Sequence, residues 1–417
     1  MKILSHITMF CKTYVLCAVL TLTSAVSGFL TSRTDVRIDG ICTEFSPHNT
    51  PSTGKVKIPV FLVDFPDEQF SKRLTDDEVR ELLFSADRAD SMETFEENGS
   101  NHLLTLDGDI YSYTMKNEMS YYEDGSFETL AMEVLSAFDD EVDYQDYDAD
   151  GDGYADAFVL TIAGSDDYWY GCQATWWEHP DFALDDVHFA NYIINDAQPY
   201  KGNEAYFVEV LCHEFGHCMG LPDFYKYDET ENWEGLPGEA GDEIMDDMLG
   251  DYSQFSRLML GYLREKEVAV YRGGDMQVTL RSAQKGGGCL IIPYEEAELY
   301  TGEYFLVEYN TPDGNLAGML EEPGIRIFHI DAHTMEYDGS VSFRYNGYSK
   351  FYDQSHNGRR IIRLVGDGSY YHAGDIVDSS QEGFAWYDAD GALTVAPGIT
   401  LSFEADGGNI CCTIRED

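Results

Sequence analysis

The chain has 417 residues, of which 43% are hydrophobic, more than one ordinary core requires, so two domains are expected. Its 77 acidic residues against 26 basic ones give a formal net charge of -51, and a surface so negative repels phosphate backbones and anionic lipid. Nucleic-acid binding is thereby excluded, and most of the carboxylates are read as solvated surface, with a minority expected to hold calcium.

The chain opens as an exported protein does. Lys2 and Lys12 lead, Tyr14 to Leu22 is a short apolar run, and Ala25-Val26-Ser27 has the small side chains of a cleavage site. Residues 1–27 are therefore expected to be a cleaved signal peptide and the mature protein to be secreted. The run is too short to span a bilayer, and no later stretch is long and apolar enough. Seven cysteines follow the leader: Cys42, Cys172, Cys212, Cys218, Cys289, Cys411 and Cys412. An odd number leaves at least one unpaired or intermolecular thiol. On one helix Cys212 and Cys218 stand roughly 9 Å apart and cannot bridge. Cys42 could serve as a latency ligand to a metal, although a structural role is favoured.

Residues 28–54 are polar and turn-rich, a leader or short pro-segment. A first domain, 55–264, starts with the strand Lys55 to Phe65. Thr75 and Glu78 form a capping box for a helix through Phe84, and a second short helix begins near Ser91. Leu103 to Tyr113 carries strand signals around an Asp107-Gly108 turn. Ser126 to Phe138 repeats its apolar residues at helical spacing.

Asp148, Asp150 and Asp152 then occupy alternate positions, Gly153 permits a sharp turn, and Asp156 stands ninth, which matches the first part of a calcium loop. Val159 replaces the twelfth-position glutamate of a sensor, and the strand-like Ala157 to Gly164 follows, so the expected site is structural. The similar string Tyr387 to Gly391 lacks the third aspartate and reads as a hairpin turn. Trp169, Trp176 and Trp177 crowd the next segment. They could line a cleft, but packing is the favoured role, and His179 is a weak candidate ligand.

Leu211 to Tyr225, LCHEFGHCMGLPDFY, carries the sharpest signal. His213 and His217 are four apart and share a helix face, with Glu214 beside them, the spacing of a zinc hydrolase. Two histidines on a helix are also ordinary core residues. Here, however, Gly220 sits where a helix ends in a left-handed residue, Leu221 and Pro222 prevent continuation, and Asp223 returns as a candidate third ligand. Gly241 to Leu263 supplies an acidic turn with Met245 and Met248, then an amphipathic helix. Beyond about residue 265, short alternating runs between Gly-rich turns indicate a β-sandwich, residues 265–417. His329, Asp331 and His333 share a strand face there, and a polar face is favoured over a metal site.

HEFGHCMGLPDFY, DYDADGDGYAD with its following strand and tryptophan, and IMDDMLGDYSQFSRLMLGYL together resemble the immune inhibitor A family of secreted bacterial metalloproteases. EYFLVEYN and GIRIFHID resemble its downstream β region, and the likeness spans most of residues 56–331. The resemblance implies an α+β architecture: a zincin-like (metzincin-like) catalytic domain with a mixed sheet and the HExxH helix, followed by the C-terminal β-sandwich. It implies one zinc on His213, His217 and Asp223, Glu214 as base, and Met245 in the turn beneath the metal, with Met248 as the other candidate. From related zincins Tyr252 is a candidate oxyanion donor. Cys212 and Cys218 are not part of the family motif.

The expected function is therefore secreted zinc metalloendopeptidase activity on extracellular proteins or peptides, through a zinc-bound water and the Glu214 carboxylate, with a structural calcium ion. The rival expectation, of another class, is a non-catalytic secreted glycan- or surface-binding protein, stabilised by calcium, with a vestigial zinc site.

Overall fold

The computed structural model describes residues 38, 48–123, 127–164, 173–176, 181–225, 240–337, 340–345 and 359–417. The expected signal peptide, Cys42, Cys172, Trp169, Trp177 and His179 lie outside the described residues, and of Trp176 only the backbone is described.

The architecture is mixed α and β, with several sheets and short helices. Strand β1 (Gly54–Asp64) shows why the first sheet is buried on both faces. Its Val56, Ile58, Val60 and Leu62 enter one apolar cluster, while Phe61 and Val63 enter another. Alternation with period two divides the strand between two cores. β2 (Leu104–Thr114), β3 (Phe158–Ile162), β4 (Gln173–Trp176) and β5 (Asn191–Asn195) complete the sheet in the order β2-β1-β3-β5-β4. β1, β2, β3 and β5 are parallel, and β4 runs antiparallel to β5 at the edge.

The Asp107-Gly108 turn is not formed. β2 continues through it, with Gly108 in register with Ile58. A Cβ on Gly108 would collide with the Phe84 ring and the Ile58 carbonyl, so this glycine permits close packing rather than a reversal.

Helix α1 (Asp76–Phe84) begins at the expected capping box. Glu78 N–H donates to Thr75 Oγ1 at 3.3 Å, and Thr75 N–H donates to Glu78 Oε2 at 2.9 Å. α2 (Met92–Gly99) is capped by Ser91. α3 (Phe127–Ala137) lays Leu130, Ala131, Val134 and Leu135 on one face of the sheet. On the other face lies α4 (Glu204–Cys218), buried at every position from Val210 to Cys218. The C-terminal half of this helix is buried on all sides, and the core around it is shared by the first sheet and the C-terminal strands.

After α5 (Gln254–Met259) come β6 (Val268–Val270), β7 (Met276–Leu280), β8 (Cys289–Pro293), β9 (Glu303–Asn310), β10 (Gly324–Asp331), β11 (Ile362–Leu364), β12 (Ile376–Val377), β13 (Ile399–Asp406) and β14 (Asn409–Glu416). They form two sheets, β11-β10-β9-β8-β6 and β7-β14-β13-β12. Leu290, Phe305 and Val307 from the first share one core with Leu401, Phe403 and Ile414 from the second. The opposite face of the first contributes Leu306, Phe328 and Ile330 to the core that holds Val56 and Leu211. The apolar interior is thus continuous across residue 264. Buried polar contacts cross it too. Glu308 accepts from Gln254 N–H and from Arg326 Nε, each at 2.7 Å, and Arg326 Nη1 donates to the Asp242 carbonyl at 2.9 Å.

Cys212, Cys218, Cys289, Cys411 and Cys412 are not in disulfides. Among the described residues, no helix is long and apolar enough to cross a membrane.

Glu96 of α2 is fully enclosed, with the Tyr252 hydroxyl at 3.1 and 3.2 Å from its two oxygens. Burial pushes its carboxyl up to about 8 from an ordinary 4.5. Between those values the folded chain keeps a proton that the unfolded chain has released. This group's contribution to stability is therefore greatest at low pH and is lost as pH rises through the folded value. Glu96→Gln is expected to melt above the wild type at about pH 9 and to lose that advantage towards about pH 5. Calorimetry at both pH values checks it; a difference that does not change with pH contradicts it.

Candidate metal centre and acidic loop

α4 ends where the sequence expects it to. Leu221 N–H donates to the Gly216 carbonyl and Gly220 N–H to the His217 carbonyl, a Schellman pair made possible by the positive φ of Gly220. The reversal brings Asp223 back against the helix face that carries His213 and His217. Both Nε2 atoms lie 3.1 Å from Asp223 Oδ1. The three side chains are buried, with one donor atom from each within a 4.8 Å cluster.

The other ring nitrogens decide what these atoms present to one another. His213 Nδ1 donates to the Ile244 carbonyl and His217 Nδ1 to the Leu221 carbonyl, each at 2.7 Å. A carbonyl only accepts, so each Nδ1 carries a hydrogen and each neutral ring turns a lone pair from Nε2 towards the Asp223 oxygen. Three electron-pair donors facing one another in a buried site fit a cation. Two imidazoles and one carboxylate suit zinc better than calcium, which takes oxygen ligands.

The electrostatics carry the same tension. Burial lowers the His217 imidazole, yet the Asp223 charge outweighs it and raises the group to about 9. His213 also rises: burial acts downward, but a protonated ring can donate from Nε2 to the Asp223 carboxylate. Burial acts upward on Asp223, but the two imidazoles hold it well below the usual carboxylate range. Glu214, buried beside them, is raised chiefly by its own burial, and its Oε2 accepts the Ala174 N–H of β4.

Met245 is buried beneath this centre. An added Cβ on Gly216 would meet Met245 Sδ at 2.6 Å, so the glycine between the two histidines makes room for the methionine. The Met245 carbonyl accepts from Phe224 N–H at 2.9 Å, next to Asp223. Met248 instead stands in the left-handed region at φ 56°. Tyr252 is not brought to the centre. It is fully buried, with its hydroxyl on Glu96 and its ring against Gly99 of α2, so the hydroxyl of the expected oxyanion donor is paired with a carboxylate in this structure.

The acidic loop gathers Asp148, Asp150 and Asp156 within 4.8 Å but not Asp152. Asp148 accepts from Gly151, Asp152 and Gly153 N–H groups at 2.8 to 3.1 Å, which winds the loop around one carboxylate. Asp156 accepts from Ala149 N–H at 3.1 Å, and burial, with Asp150 and Asp148 adding to it, pushes its carboxyl up to about 7. Asp152 turns the other way, with its Oδ2 2.7 Å from His48 Nδ1. That partner, remote in the chain, removes it from the expected calcium set. His329, Asp331 and His333 are divided as well: His329 pairs with Glu303 and His333 with Asp331.

Sequence reasoning missed the backbone groups of the site, the carbonyls of Leu221 and Ile244 and the N–H of Ala174, because any residue type supplies them. It also missed Thr50, whose N–H donates to the Cys218 carbonyl and whose hydroxyl donates to the Asp156 carbonyl.

No protein-family model matches the chain, and no curated protein matches it. Among solved structures, two crystal forms of wild-type OgpA from Akkermansia muciniphila are similar to it. One, in P 21 21 21, has 11% identity, 75% coverage of this chain and 98% of that one, and a TM-score of 0.28. The other, in P 41 21 2, has 10% identity, 74% and 98% coverage, and a TM-score of 0.27. Similarity that low implies nothing about activity.

Calcium is expected to raise the melting temperature and EGTA to lower it, with about 2.7 kcal/mol of stabilisation at a hundredfold excess over Kd. Asp150→Ala should abolish the response and Asp152→Ala should retain it. Calorimetry on chelator-treated protein decides this; an equal calcium response in wild type and Asp150→Ala removes the site.

Proposed function

We propose that the chain is a secreted zinc-dependent endopeptidase of the immune inhibitor A type. In this reading residues 55–264 are a zincin-like catalytic part and the two facing C-terminal sheets are a β-sandwich. The observation that carries the reading is the meeting of His213 Nε2, His217 Nε2 and Asp223 Oδ1 at one buried point, with Glu214 on the same helix. Zinc at that point supplies a Lewis acid and brings the acidity of water towards neutral pH.

The chain's own groups account for the remaining steps. Glu214, raised by burial, takes a proton from the attacking water and delivers it to the leaving amine nitrogen of a cleaved peptide bond. The Nδ1 hydrogen bonds of both histidines hold the rings in one tautomer and one orientation throughout. β4, last in its sheet among the described residues and antiparallel to β5, offers an edge on which an extended peptide can add as a further strand beside Glu214. The substrates are accordingly proteins or peptides in extended form, and the acidic loop, with calcium, is a structural support.

Glu214→Ala is expected to retain zinc by mass spectrometry while casein cleavage falls by at least about 10²-fold. His217→Ala is expected to lose both. Full proteolysis by purified Glu214→Ala, or a wild type that binds no zinc and cleaves nothing in a peptide library, overturns the assignment.

A further inference from the structure

The C-terminal half contains a cavity of about 350 Å³ that shares no residue with the metal centre. Its lining combines the rings of Tyr294, Tyr345 and Tyr387 with Glu298, Glu303 and the Arg359 guanidinium. Buried ionisable groups stand behind its lining, bonded to it. His329 and Asp331 are completely enclosed, and Glu303 is 6% exposed. His329 Nε2 donates to Glu303 Oε1 at 2.8 Å, and the Tyr387 N–H donates to the same oxygen at 2.7 Å. Asp331 accepts from Arg359 Nη1 at 2.8 Å and from His333 Nδ1, whose other nitrogen lies 3.2 Å from Glu298.

Stability does not account for this arrangement. Paired charges in a core contribute no more than apolar side chains of the same volume, and often less. Further along the same face of β9 and β10 the positions are filled in the apolar way, by Phe305, Val307, Ile325 and Ile327. Ionisable groups held out of water, next to a concave surface with aromatic walls, are the pattern of a ligand site.

We propose that this cavity binds a neutral saccharide unit. The choice of ligand rests on the lining. A free cation entering it meets Arg344 and Arg359, and a free anion meets Glu295, Glu298, Glu303 and Asp388. A hydroxyl both donates and accepts, so vicinal hydroxyls on a neutral ring can satisfy carboxylates and guanidinium groups together. Among these aromatics, Tyr294 provides a flat surface for the C–H face of such a ring. Tyr294 is the most available, 51% exposed, and backed by Trp386 at 5.4 Å between ring centroids. Tyr345 and Tyr387 are held by Arg359, whose guanidinium lies 5.2 and 4.9 Å from their centroids. The volume is at the small end for ligand pockets and suits about one or two sugar rings rather than a folded partner. The site does not depend on the peptidase reading, because no group in it touches His213, Glu214, His217 or Asp223.

Saturation-transfer NMR on the full chain tests it, with glucose, galactose, mannose, N-acetylglucosamine and lactose as probes and glucuronate and lysine amide as charged comparators. The expected result is transfer to at least one neutral sugar, weakened at least about tenfold in Tyr294→Ala and in Glu298→Gln and unchanged in Glu214→Ala. Both substituted positions are solvent-exposed or isosteric, and an unchanged melting temperature shows that the fold is kept. Transfer to none of the neutral sugars, equal transfer in both pocket variants, or stronger transfer to a charged comparator overturns the proposal.

Discussion

Two imidazole nitrogens and one carboxylate oxygen are held at 3.1 Å in a buried place, and much of the first half of the molecule exists to keep them there. Left to themselves, an aspartate would prefer solvent and two histidines would turn their lone pairs towards any donor available. What prevents this is the pair of backbone carbonyls behind the rings. Ile244 and Leu221 each accept one Nδ1 hydrogen, so neither ring can flip without losing a buried hydrogen bond. The chemistry of the cluster is thus set from behind, by peptide groups that take no part in it.

Those carbonyls must themselves be fixed. Leu221 is fixed locally by the Schellman turn at Gly220. Ile244 is fixed from a distance. Glu243, which precedes it, is buried and accepts hydrogen bonds from Met245 N–H, Ser253 N–H and the Ser253 and Ser256 hydroxyls. The neighbouring Asp242 carbonyl is held by Arg326, a residue of β10 whose charge is balanced by Glu308 of β9. The turn under the candidate metal centre is therefore clamped by the C-terminal sheet. With the apolar core also continuous through Leu306, Phe328 and Ile330, the two halves of the chain make one support for the site.

This division explains what could be read from the sequence. Features closed within a few residues were legible: the capping box of Thr75 and Glu78, the end of α4 at Gly220, the shared face of His213 and His217, and the winding of Asp148 around its own loop. Features decided by remote partners were not. Asp152 fits the calcium pattern by position, but His48, separated from it by 104 positions, takes its carboxylate. Tyr252 stands at a suitable distance in sequence from the zinc motif, but Glu96, 156 positions earlier, takes its hydroxyl. Asp107-Gly108 has the composition of a hairpin turn, and only the contact with Phe84 and Ile58 shows that its glycine serves packing in an unbroken strand.

Thr50 carries the same logic one step further, because it joins the two candidate metal sites. Its hydroxyl donates to the carbonyl of Asp156, the most buried carboxylate of the acidic loop, at 2.6 Å. Its N–H donates at 2.9 Å to the carbonyl of Cys218, the last residue of α4 and the neighbour of His217. Both acceptors lie at the ends of elements, where backbone carbonyls have no partner within their own element and must find one elsewhere. A single residue thus satisfies the close of the acidic loop and the close of the histidine helix. Two hydrogen bonds from Thr50 thus connect the loop around Asp156 to the last turn of the helix from which His217 projects.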